Sequence, residues 1–121
     1  MKYLWTTIQV SNLEESIDFY SKALGLEVTN RFPAGPGSEI AFVSDEKSGT
    51  NIELFFSGKD LGKNHAGDVS MGFLCDDLSK KRSMLEELGY TLSPDMEPNP
   101  HIKFFFLSDP DGYKIQIAEQ K

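Results

Sequence analysis

The fold is decided by the stretch Ile8-Gln9-Val10-Ser11-Asn12-Leu13 and by its near-repeat about 64 residues later, Phe73-Leu74-Cys75-Asp76-Asp77-Leu78. Each stretch is followed by a helical pattern that ends at a glycine, Gly25 in the first copy and Gly89 in the second. A repeat of this length predicts two copies of one supersecondary unit, each of which needs a neighbour to bury its apolar face. A site built between the copies would therefore draw on equivalent positions.

The first copy carries the periodicities of one helix and four strands. Residues 1–10 alternate between apolar and polar side chains, which is the period of a strand. Asn12 is a candidate helix N-cap with Glu15 as its capping-box partner, and the helix extends to Gly25. The apolar face of this helix consists of Leu13, Ile17, Tyr20 and Leu24, with Phe19 alongside. Three more strands are predicted at 26–32, 40–43 and 50–57.

The second copy repeats this order. Asp76 or Asp77 caps its helix, and Gly89 ends it. The apolar residues of this helix are Leu78, Met84, Leu85 and Leu88. Strands are predicted at 69–75, 90–92, 102–107 and 113–119, with a proline-rich loop at 94–100. Cys75 is interpreted as a core residue because it alternates with Leu74 onto the helix side.

These elements predict an α+β fold in which two tandem β-α-β-β-β modules form a curved, eight-stranded mixed sheet with a central cup. We expect one domain over residues 1–121, with module one at about 1–57, a linker at 58–67 and module two at 68–121. The alternation along the strands indicates which residues line the cup: Glu53, Phe55, Gln116 and Ala118, with Trp5, Thr7, Gln9, Ser70 and Gly72.

Composition and charge exclude several classes of partner. The net charge of −7 argues against nucleic acid and anionic membrane surfaces. No apolar run approaches the roughly 18 residues of a membrane span, and no signal segment is apparent at the N-terminus. The lone cysteine, Cys75, cannot form an internal disulfide, so we expect a reducing, cytoplasmic setting.

Two motifs carry a resemblance to a known family. Val10-Ser11-Asn12-Leu13 with Phe19-Tyr20-Ser21-Lys22-Ala23-Leu24-Gly25-Leu26 resembles the opening of glyoxalase I and bleomycin-resistance proteins. Leu107-Ser108-Asp109-Pro110-Asp111-Gly112-Tyr113-Lys114-Ile115-Gln116-Ile117 resembles their last hairpin. The chain is identified as a member of the vicinal oxygen chelate superfamily, which also includes extradiol dioxygenases. Both motifs are structural, so they bear on the fold rather than on catalysis.

The resemblance also implies where a metal would be bound. Members similar to glyoxalase I place His or Gln on the first strand of each half and Glu on the last strand. The matching positions here are Trp5, Glu53, Ser70 and Gln116. An indole N–H offers no lone pair, and a neutral hydroxyl and an amide are poor ligands for a transition metal. We therefore expect no cofactor and no metal ligands, with a weakly bound or relocated divalent ion left open.

Glu53 is the candidate catalytic residue, as a general base or as the anchor for a cation. The further candidate ligand contacts are Trp5, Thr7, Phe55, Ser70, Gln116 and His101. The competing interpretations are a structural carboxylate at position 53 and a space-filling indole at position 5. The run Lys80-Lys81-Arg82 is interpreted as the solvated face of the second helix.

The preferred hypothesis is a small-molecule-binding protein that lacks the usual metal site and sequesters a cationic or aromatic compound. The main alternative is a glyoxalase-like lyase, isomerase or epimerase with an altered metal site, using Glu53 as base. A dioxygenase-like activity and a pure protein-interaction module are further alternatives; the first is disfavoured because iron in that role needs two His ligands. The expected partners are a small organic molecule and a second copy of the chain in a homodimer.

Overall fold

The computed structural model describes residues 1–62 and 64–121, and it divides into two compact units, Met1–His65 and Ala66–Lys121. In chain order the elements are β1 (Thr6–Gln9), α1 (Leu13–Lys22), β2 (Glu27–Pro33), β3 (Glu39–Asp45), β4 (Thr50–Phe56), β5 (Ser70–Leu74), α2 (Leu78–Glu87), β6 (Met96–Asn99), β7 (Ile102–Ser108) and β8 (Lys114–Gln120). The predicted tandem β-α-β-β-β order is confirmed. The boundary between the units lies within 58–67, and a single domain over 1–121 stays a prediction.

Each unit holds a four-stranded mixed sheet. The strand order is β1-β4-β3-β2 in the first sheet and β5-β8-β7-β6 in the second. In both sheets the first and last strands of the unit pair in parallel, and the other neighbours are antiparallel. The described strands therefore form two sheets of one topology, which confirms the α+β class and the repeat.

Helix α1 begins as the sequence predicts. The Asn12 side chain accepts a hydrogen bond from the backbone N–H of Glu15 at 3.0 Å, which satisfies one of the free donors at the helix start. Gly25 has a φ of 70°, a left-handed conformation that favours glycine. The fully buried helix residues are Leu13, Ser16, Phe19 and Tyr20. Ile17 and Leu24 were predicted to belong to the apolar face that packs on the sheet, but both are only half-buried.

Helix α2 covers its sheet less completely. Asp77, rather than Asp76, is the N-cap, and its side chain accepts from the backbone N–H of Lys80 at 3.1 Å. Only Leu78 and Leu85 of this helix are buried, whereas Met84 and Leu88 are 37% and 48% exposed. The predicted apolar face of α2 was therefore too wide.

Two strand predictions were wrong. The strand predicted over residues 1–10 is confined to Thr6–Gln9, because only these residues pair with β4. The strand predicted at 90–92 is absent, and β6 lies instead at Met96–Asn99, inside the predicted loop. Pro98 is tolerated there because β6 is an edge strand, where one N–H is not needed by the ladder.

The two faces of each sheet differ, as the alternation predicts. Toward α1 the first sheet buries the row Ile8, Leu54 and Ala41, which are paired across three strands. The matching row of the second sheet contains Phe73, Ile117 and Phe105, of which the last two are buried. None of the described helices is long and apolar enough to cross a membrane.

Candidate functional site

The opposite side of each sheet, away from its helix, is termed its distal face. The first distal face carries Thr7, Gln9, Ile40, Phe42, Asn51, Glu53 and Phe55. The second distal face carries Ser70, Gly72, Phe104, Phe106, Lys114, Gln116 and Ala118. Eight of the nine residues predicted to line the cup therefore lie on the distal face of their own sheet, and the ninth, Trp5, precedes β1.

Glu53 lies at the centre of the first distal face. The strand register sets it between Thr7 on β1 and Phe42 on β3. The Thr7 hydroxyl donates to Glu53 Oε1 at 2.7 Å. The carboxylate is half-buried, and in the described part of the chain no lysine or arginine forms an ion pair with it. A carboxylate so placed retains an acceptor oxygen and a charge for another group.

An aromatic surface adjoins this carboxylate. The Trp5 ring meets the Phe42 ring edge-on, with their centroids 5.2 Å apart. The Phe32 ring stacks on the Phe42 ring, with their centroids 6.3 Å apart. Trp5 retains 41% of its surface exposed, so the indole is not merely filling a core volume. Edge-on and offset ring pairs of this kind leave negative ring faces that attract cations.

Phe55 belongs to the neighbouring row of the same face. It pairs with Gln9 on β1 and with Ile40 on β3, and it is half-buried. The first unit thus brings together four of the predicted residues, Trp5, Thr7, Glu53 and Phe55. Phe42, which pairs with Glu53 and contacts the Trp5 ring, was not among the predicted residues. The alternation over 40–43 could have identified it.

Ser70 and Gln116 lie on the second distal face. Gln116 pairs with Gly72 on β5 and with Phe106 on β7, and it is half-buried. Ser70 is exposed and pairs with Lys114. A Cβ added at Gly72 would lie 3.7 Å from Gln116 Oε1, an ordinary contact distance. The Gln116 amide therefore has free space beside Gly72, at the position where Glu53 has Thr7 as its neighbour.

His101 lies away from Gln116. It is exposed in the turn before β7, and its carbonyl accepts from the backbone N–H of Lys121. The next residue, Ile102, pairs with Gln120, four residues beyond Gln116 on β8. At the usual rise of a strand this separates the two positions by about 13 Å. The structure does not bring His101 together with the other predicted residues of the second unit.

Two further expectations are corrected on the α2 side. Cys75 is half-buried rather than part of the core, and burial raises the pKa of its thiol. Burial also lowers the pKa of Lys81. Arg82 is only 23% exposed, since its guanidinium lies 4.7 Å from the centre of the Phe105 ring and bonds to Asp95 at 2.7 Å.

Comparison with known proteins gives the family. The model of the Glyoxalase/Bleomycin resistance protein/Dioxygenase superfamily matches residues 2–117. The chain belongs to this superfamily. It is 33% identical to a lactoylglutathione lyase of Neisseria meningitidis serogroup B, over 100% of this chain and 92% of that protein.

Solved structures support the same fold. The trypanothione-dependent glyoxalase I of Leishmania major aligns with a TM-score of 0.81 at 23% identity, covering 98% of this chain and 86% of that one. An antibiotic-binding protein from a Streptomyces species aligns with a TM-score of 0.79 at 20% identity, covering 100% of this chain and 97% of that one. The glyoxalase-like fold is thus shared by proteins whose names describe catalysis and proteins whose names describe binding.

The superfamily's divalent metal does not fit the donors at the matching positions. Trp5 offers an N–H, Ser70 a hydroxyl and Gln116 an amide, which leaves Glu53 as the one charged ligand. In the residues that the structure describes, no group of three or more His, Cys, Asp or Glu side chains is placed to hold a metal ion. Tight binding of a transition metal needs several such donors at once.

Proposed function

We propose that this superfamily member binds and sequesters a small cationic or aromatic compound at Glu53, without the divalent metal of the glyoxalase I enzymes. The observation that supports the proposal is the Glu53 carboxylate, which is half-buried beside Phe42 and forms no ion pair with a lysine or arginine among the described residues. Placing a charge beside apolar rings costs free energy unless a partner compensates for it. A bound cation would supply that compensation.

The surroundings of Glu53 favour a cationic ring over a neutral one. The faces of Trp5 and Phe42 attract positive charge, and the carboxylate adds a direct ionic attraction. The hydrogen bond from Thr7 fixes Oε1, so Oε2 is the oxygen that would face the guest. Phe55 in the adjacent row would extend the contact surface. Ser70 and Gln116 stay predicted ligand contacts on the distal face of the second unit.

Isothermal titration with a matched pair of probes tests this proposal. Benzyltrimethylammonium and benzyl alcohol share an aromatic ring and differ in charge. The wild type should bind the cation more tightly, and E53Q should weaken that binding by about fivefold to tenfold. The control is E87Q, which makes the same change in net charge at an exposed position on α2.

The stability of E53Q separates a binding role from a structural one. Removal of an uncompensated charge tends to be neutral or stabilising, so the melting temperature of E53Q should stay equal or rise. A marked fall in melting temperature, with unchanged affinity for both probes, would contradict the proposal and indicate a structural carboxylate.

We also propose a homodimer and a cytoplasmic location. Leu74 and Met96 are 66% and 40% exposed on the sheet of the second unit, an apolar surface that a second copy could cover. The single cysteine, Cys75, suits a reducing compartment. Light scattering at micromolar concentration tests the assembly, and a stable monomer would count against it.

Lyase or isomerase activity with Glu53 as base is the second candidate. It is favoured by the relatives named lactoylglutathione lyase, at 33% identity in Neisseria meningitidis and 30% in Escherichia coli O157:H7. Assay with lactoylglutathione, before and after addition of divalent ions, distinguishes it from sequestration. Turnover that is abolished by E53Q would establish the enzyme instead.

A further inference from the structure

We propose that a groove at the edge of the second sheet binds an aromatic carboxylate, with Lys114 as its anion partner. The groove has a volume of about 450 Å³ and lies between residues 90–93 and the end of β7. Its lining includes Tyr90, Leu92, Ser93, Phe106, Leu107 and Lys114. All of them belong to the second unit, so the proposal does not rest on the role of Glu53.

The groove exists because residues 90–95 do not continue the sheet. Ser93 ties this segment to the β7 backbone: its N–H donates to the Phe106 carbonyl at 2.9 Å, and its hydroxyl accepts from the Phe106 N–H at 2.8 Å. Arg82 fixes the segment from the other side by donating to the Ser93 carbonyl at 2.5 Å and to Asp95. The wall of the groove is therefore held in place by α2 and β7 without a strand ladder.

Lys114 is the charged group of this groove. Its ammonium lies 5.6 Å from the centre of the Phe106 ring, and in the described part of the chain it pairs with no carboxylate. Two other lysines beside this sheet do pair with carboxylates: the Lys103 ammonium lies 3.6 Å from Asp95, and the Lys121 ammonium lies 3.1 Å from Glu97. In a chain with net charge −7, an unpaired ammonium beside an aromatic ring is a local anion site.

The lining defines the class of ligand. Phe106 and Tyr90 offer aromatic surfaces and Leu107 adds a buried apolar side chain to the lining, which suits one planar ring. A single ammonium can compensate one negative charge, and the volume is near the lower end of the range for small-molecule pockets. A benzoate-type acid meets these conditions, whereas a cationic ring would be repelled by Lys114.

Titration of the full-length protein with sodium benzoate and with benzamide, its neutral analogue, tests the groove. The wild type should bind benzoate at least about fivefold more tightly than benzamide, since only the acid gains an ion pair. Backbone amide signals should shift at positions 91–93 and 106–108. K114M should abolish the preference for benzoate, whereas K114R should retain it because arginine keeps the positive charge. F106L should weaken the binding of both probes.

The matched control is K80M, which removes an exposed lysine from α2 and changes the net charge equally. It should leave the benzoate preference intact. Equal binding of the two probes, an equal loss in K80M and K114M, or amide shifts confined to residues outside the groove would each overturn the proposal. Circular dichroism of each variant excludes unfolding as the cause, and K114Q serves as a second variant if K114M is misfolded.

Discussion

The two sheets agree on the face that packs against a helix and differ on the distal face. Leu54 and Ile117 occupy equivalent buried positions, and both are apolar and fully enclosed. One residue earlier on each strand, Glu53 faces the other side in the first unit and Gln116 in the second. Burial restricts the first pair to apolar side chains, while the distal positions are free to differ in charge.

The contrast on the distal faces extends to charge and space. The first face has the carboxylate of Glu53 beside Thr7, and the equivalent positions of the second have an amide beside Gly72. The second face has instead the ammonium of Lys114, whose counterpart is Asn51. The same backbone thus presents an anion in one unit and a cation in the other, so the two faces suit ligand groups of opposite charge.

Substitutions at the matched buried positions should have the largest effect and test whether the helix-facing sides are equivalent. L54A and I117A should each lower the free energy of unfolding by about 2–5 kcal/mol, because each removes buried methyl groups and leaves a cavity. Urea denaturation measures the loss. A loss below about 1 kcal/mol at either position would show that this side of its sheet is not a packed core.

The two arginines that tie helix to sheet should differ in their effect. Arg82 is 23% exposed, contacts a ring and donates to a backbone carbonyl, so R82M should cost about 1–3 kcal/mol. Arg31 is 37% exposed and, among the described residues, forms ion pairs with Glu14 and Glu39, so R31M should cost about 1 kcal/mol or less. If urea denaturation gave equal losses of unfolding free energy for R82M and R31M, the expected difference between the units would be contradicted.

The arginine comparison also has a pH dependence. Arg31 lowers the pKa of Glu39 through their hydrogen bond. The stabilisation from this pair is therefore present above the ordinary pKa of glutamate and is lost as the pH falls through the lowered value. The difference in stability between wild type and R31M should shrink on acidification, and a difference that grows would contradict this assignment.

The smallest effects are expected at the matched positions beside Glu53 and Gln116. T7V removes the donor to Glu53 and should cost about 0.5–1.5 kcal/mol. G72T should stabilise slightly, by about 0.5 kcal/mol, since glycine weakens a strand and the added Cβ meets only an ordinary contact. A T7V/E53A double-mutant cycle, in which E53A removes the acceptor, would show by additive effects that the hydrogen bond contributes nothing.

Local signals were enough to predict much of the fold. The N-cap at Asn12 and the left-handed glycines at positions 25 and 89 could be predicted because caps and helix ends depend on a few neighbouring residues. The alternation on β4 and β8 predicted the side on which Glu53 and Gln116 lie, because that pattern is a property of the strand itself.

Other features required long-range contacts. Residues 90–92 have strand propensity, but Ser93 and Arg82 hold this segment off the ladder, and the neighbour that β7 accepts is Met96–Asn99. Phe42 meets Trp5 across the sheet although 37 positions separate them in the chain. No local pattern encodes such a contact.

The sequence by itself determined the repeat, the order of elements, the face on which each strand residue lies and the poor metal donors at the matching positions. These depend on side-chain chemistry and on periods of a few residues. Only the tertiary structure decided that Glu53 has a hydroxyl donor and, among the described residues, no counter-ion, and that Lys114 borders an aromatic groove. The physical reason is that a charge acquires its partners through strand pairing between distant segments, and pairing depends on which edges and rings the whole fold brings together.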